Sequence, residues 1–114
     1  MLTYAIVLFT ITAIGGLVLA AKVLKGNLAP WPISIIHALL GAAGLVILVI
    51  VALSDSSPVE IKIALGLLVV AALGGFFLAS EHLRQKVAAK SVVIIHALVA
   101  VAGFLTLVSV FLNS

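Results

Sequence analysis

Apolar residues run along this chain in four stretches separated by short polar segments, and the runs lack the alternation of a half-buried strand or the one-sided stripe of a soluble helix. The first extends from Leu2 to Ala21 and continues through Lys22 and Lys25 to Gly26-Asn27, residues that readily take the left-handed conformation that ends a helix. A turn over Leu28 to Pro32 leads into the second run, Ile33 to Leu53, which stops at Ser54-Asp55-Ser56-Ser57-Pro58. Ser57, with Glu60 three positions later and Pro58 at the first helical position, reads as a capping box that opens a third helix over Val59 to Ser80. Glu60 and Lys62 can extend from its start toward water. After the polar stretch Glu81 to Lys90, a fourth run spans Ser91 to about Leu112. A membrane-spanning helix takes roughly 20 apolar residues. The pattern therefore predicts an all-α polytopic membrane protein, a four-helix transmembrane bundle of up-down-up-down topology in a single domain over residues 1–114. No basic residue precedes the first run and no small-residue cleavage pattern follows a short core, so it is expected to be a retained helix rather than a signal peptide.

Composition agrees with lipid as the solvent. Hydrophobic side chains make up 66% of the 114 residues and charged ones 8%, where soluble domains carry about 25% charged residues. A net charge of +3 spread so thinly offers no nucleic-acid footprint. The absence of cysteine excludes disulfides, thiolate metal sites, iron–sulfur clusters and covalent haem attachment. Five of the six basic residues, Lys22, Lys25, Arg84, Lys86 and Lys90, lie at the loops joining helices 1 to 2 and 3 to 4, with Lys62 the exception. The positive-inside rule places those loops in the cytoplasm and both termini outside or in the periplasm, as in a bacterial inner membrane. Trp31 suits an interfacial anchor, or alternatively a cover for a quinone or the edge of a haem.

The sequence also matches itself at an offset of 59 residues. Ala13-Ile14-Gly15-Gly16 pairs with Ala72-Leu73-Gly74-Gly75, Ile35-Ile36-His37-Ala38-Leu39 with Ile94-Ile95-His96-Ala97-Leu98, and Ala43-Gly44 with Ala102-Gly103. This predicts two parallel two-helix repeats, about 1–55 and about 60–114, related by a pseudo-two-fold axis along the membrane normal. In a bundle with short loops, helix 2 is then diagonal to helix 4, and His37 faces His96 across the axis if both point inward.

An ionisable side chain inside a membrane helix is costly and marks a candidate site. Both histidines fall about 8–9 Å below the basic ends of their helices, at the depth of Gly15-Gly16 and Gly74-Gly75. The face of His37 continues through Gly41 and Gly44, and that of His96 through Ala100 and Gly103. Diagonal helix axes stand roughly 12–14 Å apart, which accommodates two imidazoles with an iron between them. A flat macrocycle there would direct its edges toward the glycine pairs and its carboxylates toward Lys22, Lys25, Arg84, Lys86 and Lys90. Spacing thus points to one bis-histidine haem b, with iron on His37 and His96.

Through His37, His96 and these glycines the chain resembles the four-helix membrane b-type cytochromes. The resemblance implies electron transfer rather than substrate turnover, with a quinone or a redox partner protein exchanging the electrons. Those cytochromes commonly use more histidines for more than one haem, whereas one symmetric pair stands here.

Other readings compete with haem. Paired histidines can join helices through hydrogen bonds, and the glycines can be packing notches, as in a noncatalytic subunit or scaffold of a larger membrane complex. The length also matches small multidrug transporters, but helix 1 lacks their embedded glutamate, so a small transporter or proton channel would depend on His37 and His96. His82, at the end of helix 3 where the first repeat has Val23, is expected to be solvated; the alternative is a third nitrogen ligand for zinc or copper. No nucleophile–base pair exists, and Asp55, Glu60 and Glu81 all fall at helix ends, which argues against hydrolysis.

Overall fold

In a computed structural model, which describes residues 1–114, the chain forms four helices and no strands: α1 (Leu2–Leu24), α2 (Trp31–Ala52), α3 (Val59–Leu83) and α4 (Lys90–Leu112). Each is long and apolar enough to cross a membrane. In hydrocarbon every backbone N–H and C=O must be paired within the protein, and a helix does this inside one segment. The molecule is 44 Å along its long axis, close to the roughly 40–45 Å of a bilayer with its headgroups.

The helix boundaries report local chemistry. Both α1 and α3 end in the same Schellman geometry. Asn27 N–H reaches Lys22 C=O and Gly26 N–H reaches Val23 C=O, while Lys86 N–H reaches Glu81 C=O and Gln85 N–H reaches His82 C=O. The left-handed residue is Gly26 in one, at φ 86°, and Gln85 in the other, at φ 58°. That second cap carries α3 past the expected Ser80 to Leu83, because a polar sequence at a membrane surface does not stop a helix by itself. Likewise α2 begins at Trp31, inside the expected turn, since proline is accommodated in a first turn where its missing N–H has no partner to lose. The capping box is not formed. Pro58 is the N-cap of α3, no side chain caps it, and Ser57 Oγ donates to the Pro58 carbonyl at 3.3 Å.

Helices α1 and α2 form one closely packed hairpin and α3 and α4 another, and α1 against α4 and α2 against α3 close the ring. The diagonal pairs, α1 with α3 and α2 with α4, do not approach through their backbones. A core of Ala5, Phe9, Leu48, Ala52, Ile61, Ala64, Leu68 and Leu107 fills the half of the bundle nearer the Asp55 turn. Corresponding positions of the two hairpins are buried together, Ala5 with Ala64, Phe9 with Leu68, Gly44 with Gly103 and Leu48 with Leu107. Toward the basic end the packing changes. No residue is fully buried between Phe9 and Val23 on α1, before Gly44 on α2, between Ala71 and His82 on α3, or between Val93 and Gly103 on α4.

Candidate functional site

His37 and His96 occupy that loosely packed layer, and they face one another. Their ring centroids are 6.4 Å apart with planes inclined at 75°. Each ring is pinned by the helix before it in the chain. His37 Nδ1 lies 2.8 Å from the Thr12 carbonyl oxygen and His96 Nδ1 lies 2.7 Å from that of Ala71, equivalent bonds spanning 25 residues in each hairpin. A carbonyl only accepts, so Nδ1 carries a proton, and in the neutral ring Nε2 then holds the lone pair. Neither Nε2 is a buried orphan, so neither is sealed off by protein.

The double glycines make this geometry attainable. A Cβ on Gly16 would stand 2.9 Å from Cε1 of His37, and one on Gly75 would stand 3.3 Å from Cε1 of His96. The space at Gly16 and Gly75 is therefore taken by the imidazole of the same hairpin, while at Gly15 and Gly74 a Cβ would make ordinary contact with the same ring's residue, at 3.8 and 3.5 Å. That space is not vacant for a macrocycle's edge, as the sequence suggests. Lower on α2 and α4, a Cβ on Gly41 would meet the Thr12 methyl at 3.5 Å, one on Gly44 the Phe9 ring at 2.9 Å, and one on Gly103 Leu68 at 2.8 Å. Gly44 and Gly103 admit neighbouring side chains and so let the helices close, which is their packing role, whereas a Cβ at Gly41 would make only ordinary contact. Ala100, on the face of His96, is half-buried.

Of the basic residues, Lys25 and Lys90 are exposed, while Arg84 is turned onto its own helix, with Nε donating to the Ser80 carbonyl and Nη2 to Ser80 Oγ, each at 3.3 Å. His82 is not solvated. It is 8% exposed, stacked on Trp31 with centroids 3.7 Å apart and planes 12° from parallel, and its Nδ1 lies 3.4 Å from Ser34 Oγ. The covering Trp31 ring from α2 and the buried position it shares with Val23 take it out of water. One face of Trp31 is thereby committed to His82.

No cluster of three or more metal-binding side chains exists, so His82 does not join the histidine pair as a third ligand. Two imidazoles supply half the donors that tetrahedral zinc takes, but they are a full axial set for a haem iron, whose other ligands come from the porphyrin. An imidazole nitrogen ligates a metal at about 2.0 Å and lies about 1.1 Å from its ring centre, so two axial rings on one iron hold their centroids roughly 6 Å apart. The observed separation fits that requirement, and the backbone bonds at Nδ1 are the outer partners that ligating histidines usually have.

Sequence reasoning missed the two carbonyl acceptors and the Ser34 partner. Main-chain groups of Thr12 and Ala71 carry no side-chain signature; the only signal was that each lies 25 residues before a histidine.

The fold and the site define an integral membrane four-helix bundle with an opposed pair of intramembrane histidines. Comparison with protein-family models, curated proteins and solved structures finds no match to this chain.

Proposed function

We propose that the protein is a small membrane b-type cytochrome that holds one haem between α2 and α4, with His37 and His96 as axial ligands, and passes electrons. The observation that carries the reading is the opposed pair, 6.4 Å between centroids, each ring anchored at Nδ1 with Nε2 free, in the layer where every helix lacks fully buried residues. The haem would supply a one-electron couple. This chain's residues would supply ring orientation through the Thr12 and Ala71 carbonyls, a low-dielectric surround, and two filled axial positions that disfavour oxygen binding. On this reading the basic end faces the cytoplasm by the positive-inside rule, with exposed Lys25 and Lys90 available to the propionates. A quinone or a redox protein would be the exchanging partner.

Titrating hemin into the purified apoprotein tests the reading. Wild type is expected to bind one equivalent, His37→Ala and His96→Ala each to lose at least tenfold in affinity, and His82→Ala to bind as wild type. Equal weakening by all three, or none in the first two, overturns it.

The second reading is structural. The carbonyl bonds and the fit of each ring against its glycine pair join α1 to α2 and α3 to α4 without any cofactor, as a scaffold subunit would require. The same titration separates the two, since a scaffold binds no hemin at the histidines.

A further inference from the structure

Each hairpin carries a groove on its outer face. That between α1 and α2 has a volume of about 290 Å³; its walls include Ile11, Ile14, Gly15, Val18 and Ile36, and His37 lines it as well. That between α3 and α4, about 280 Å³, uses corresponding positions, Val70, Gly74, Ile95 and Val99 among them. Both lie open at the surface among exposed aliphatic side chains, so in a bilayer both meet acyl chains. What differs is the polar head of each groove. On α1 the wall residues 11, 14, 15 and 18 continue at helical spacing to Lys22 and Lys25, about one and two turns beyond Val18. Both lysines are exposed. On α3 the corresponding residues are Glu81 and Arg84, and the Arg84 guanidinium is bonded to Ser80. Along the α1 wall one groove therefore runs to two exposed cations, and along the α3 wall the other runs to a carboxylate and a committed cation, with exposed Lys86 and Lys90 beyond it in the loop and at the start of α4.

We infer that the α1–α2 groove is a binding site for an anionic phospholipid, its phosphate against Lys22 and Lys25 and one acyl chain lying down the groove over Gly15. From Val18 to Ile11 the wall runs roughly 10 Å, the length of several methylenes pointing from the basic end toward the bilayer centre. Gly15 matters because the missing side chain leaves the floor low beside His37, whose Cβ would be 3.8 Å from a Cβ added there. The groove meets the haem reading at His37, which lines it, and at Lys25; lipid retention is read on protein carrying no hemin, so the two readings fail separately.

The test is native mass spectrometry of the full chain in neutral detergent, titrated with phosphatidylglycerol or phosphatidylcholine of matched chains. Wild type is expected to retain one phosphatidylglycerol in preference to phosphatidylcholine. Lys22→Gln with Lys25→Gln should reduce that preference about 30-fold, the effect of two basic residues near a membrane surface, while Arg84→Gln leaves it within twofold. Val18→Trp, which obstructs the groove from an exposed position, should weaken retention of both lipids, and glycerophosphoglycerol, a headgroup without chains, should not displace the lipid. Far-UV circular dichroism checks that each variant is folded, and Lys22→Gln alone gives a second reading of the head if the double variant is not. Unchanged preference in the lysine variants, an equal loss in Arg84→Gln, unaltered retention in Val18→Trp, or displacement by the free headgroup each overturns the assignment.

Discussion

Adding one methyl group at Gly16 probes how tightly the histidine layer is held. The new Cβ would stand 2.9 Å from Cε1 and 3.4 Å from Nδ1 of His37, whereas carbon atoms rest at about 3.5–4.0 Å. The ring must retreat by roughly 0.7 Å to reach that contact, and a shift of that size opens the 2.8 Å bond to the Thr12 carbonyl beyond useful length. The lost interhelical bond is worth on the order of 1 kcal/mol in a membrane, and a displaced rotamer adds about 0.5–1.5 kcal/mol. At Gly75 the contact is 3.3 Å, so the same change needs half the movement or less, and the His96 bond survives. At Gly15 the nearest atom is 3.8 Å away and at Gly66 nothing lies within 4 Å. Each substitution also gains the helix preference of alanine over glycine, and this common gain cancels when Gly66→Ala is the reference. Reversible unfolding in mixed micelles, followed by far-UV circular dichroism, should therefore rank Gly66→Ala and Gly15→Ala together, Gly75→Ala slightly below, and Gly16→Ala about 1.5–2.5 kcal/mol lower. Gly16→Ala as stable as Gly66→Ala would refute the claim that the glycine exists to seat the ring.

The left-handed Gln85 stands where α1 uses Gly26, so Gln85→Gly should raise stability by about 1 kcal/mol and Gly26→Gln should lower it by a similar amount in the same unfolding assay. Gly44→Ala, meeting the Phe9 ring at 2.9 Å, should destabilise by about 1–3 kcal/mol, and pairing it with Phe9→Leu should recover part of the loss; a double variant no more stable than Gly44→Ala would deny the contact. Trp31 is the only tryptophan, and His82→Ala should shift its fluorescence to the red by uncovering its stacked face, while His82→Phe should leave the emission near its original position.

The four spans were legible because hydrocarbon demands long apolar helices, and the layout of polar turns left little freedom in joining them. The opposition of His37 and His96 was legible too, since adjacent hairpins with short loops put α2 and α4 on a diagonal. Features that depend on contact were not. Spacing placed the double glycines at the depth of the histidines but could not tell whether the room they leave admits a ligand or an imidazole; the distances from Gly16 and Gly75 show the imidazole. His82 looked like a loop residue because its neighbours are polar, yet helical continuation to Leu83 turns it under Trp31. Ser57 and Glu60 match the capping pattern, but Pro58 takes the cap position itself and displaces Ser57 from it.

On the proposed reading both Nε2 atoms would ligate one iron, which is read directly in the dithionite-reduced visible spectrum of protein purified from haem-supplied cells, recorded before and after adding carbon monoxide. Two filled axial positions predict a Soret band with a sharp α band that carbon monoxide leaves unchanged. A colourless protein, or a spectrum that shifts on adding the gas because one axial position is open, would contradict the account.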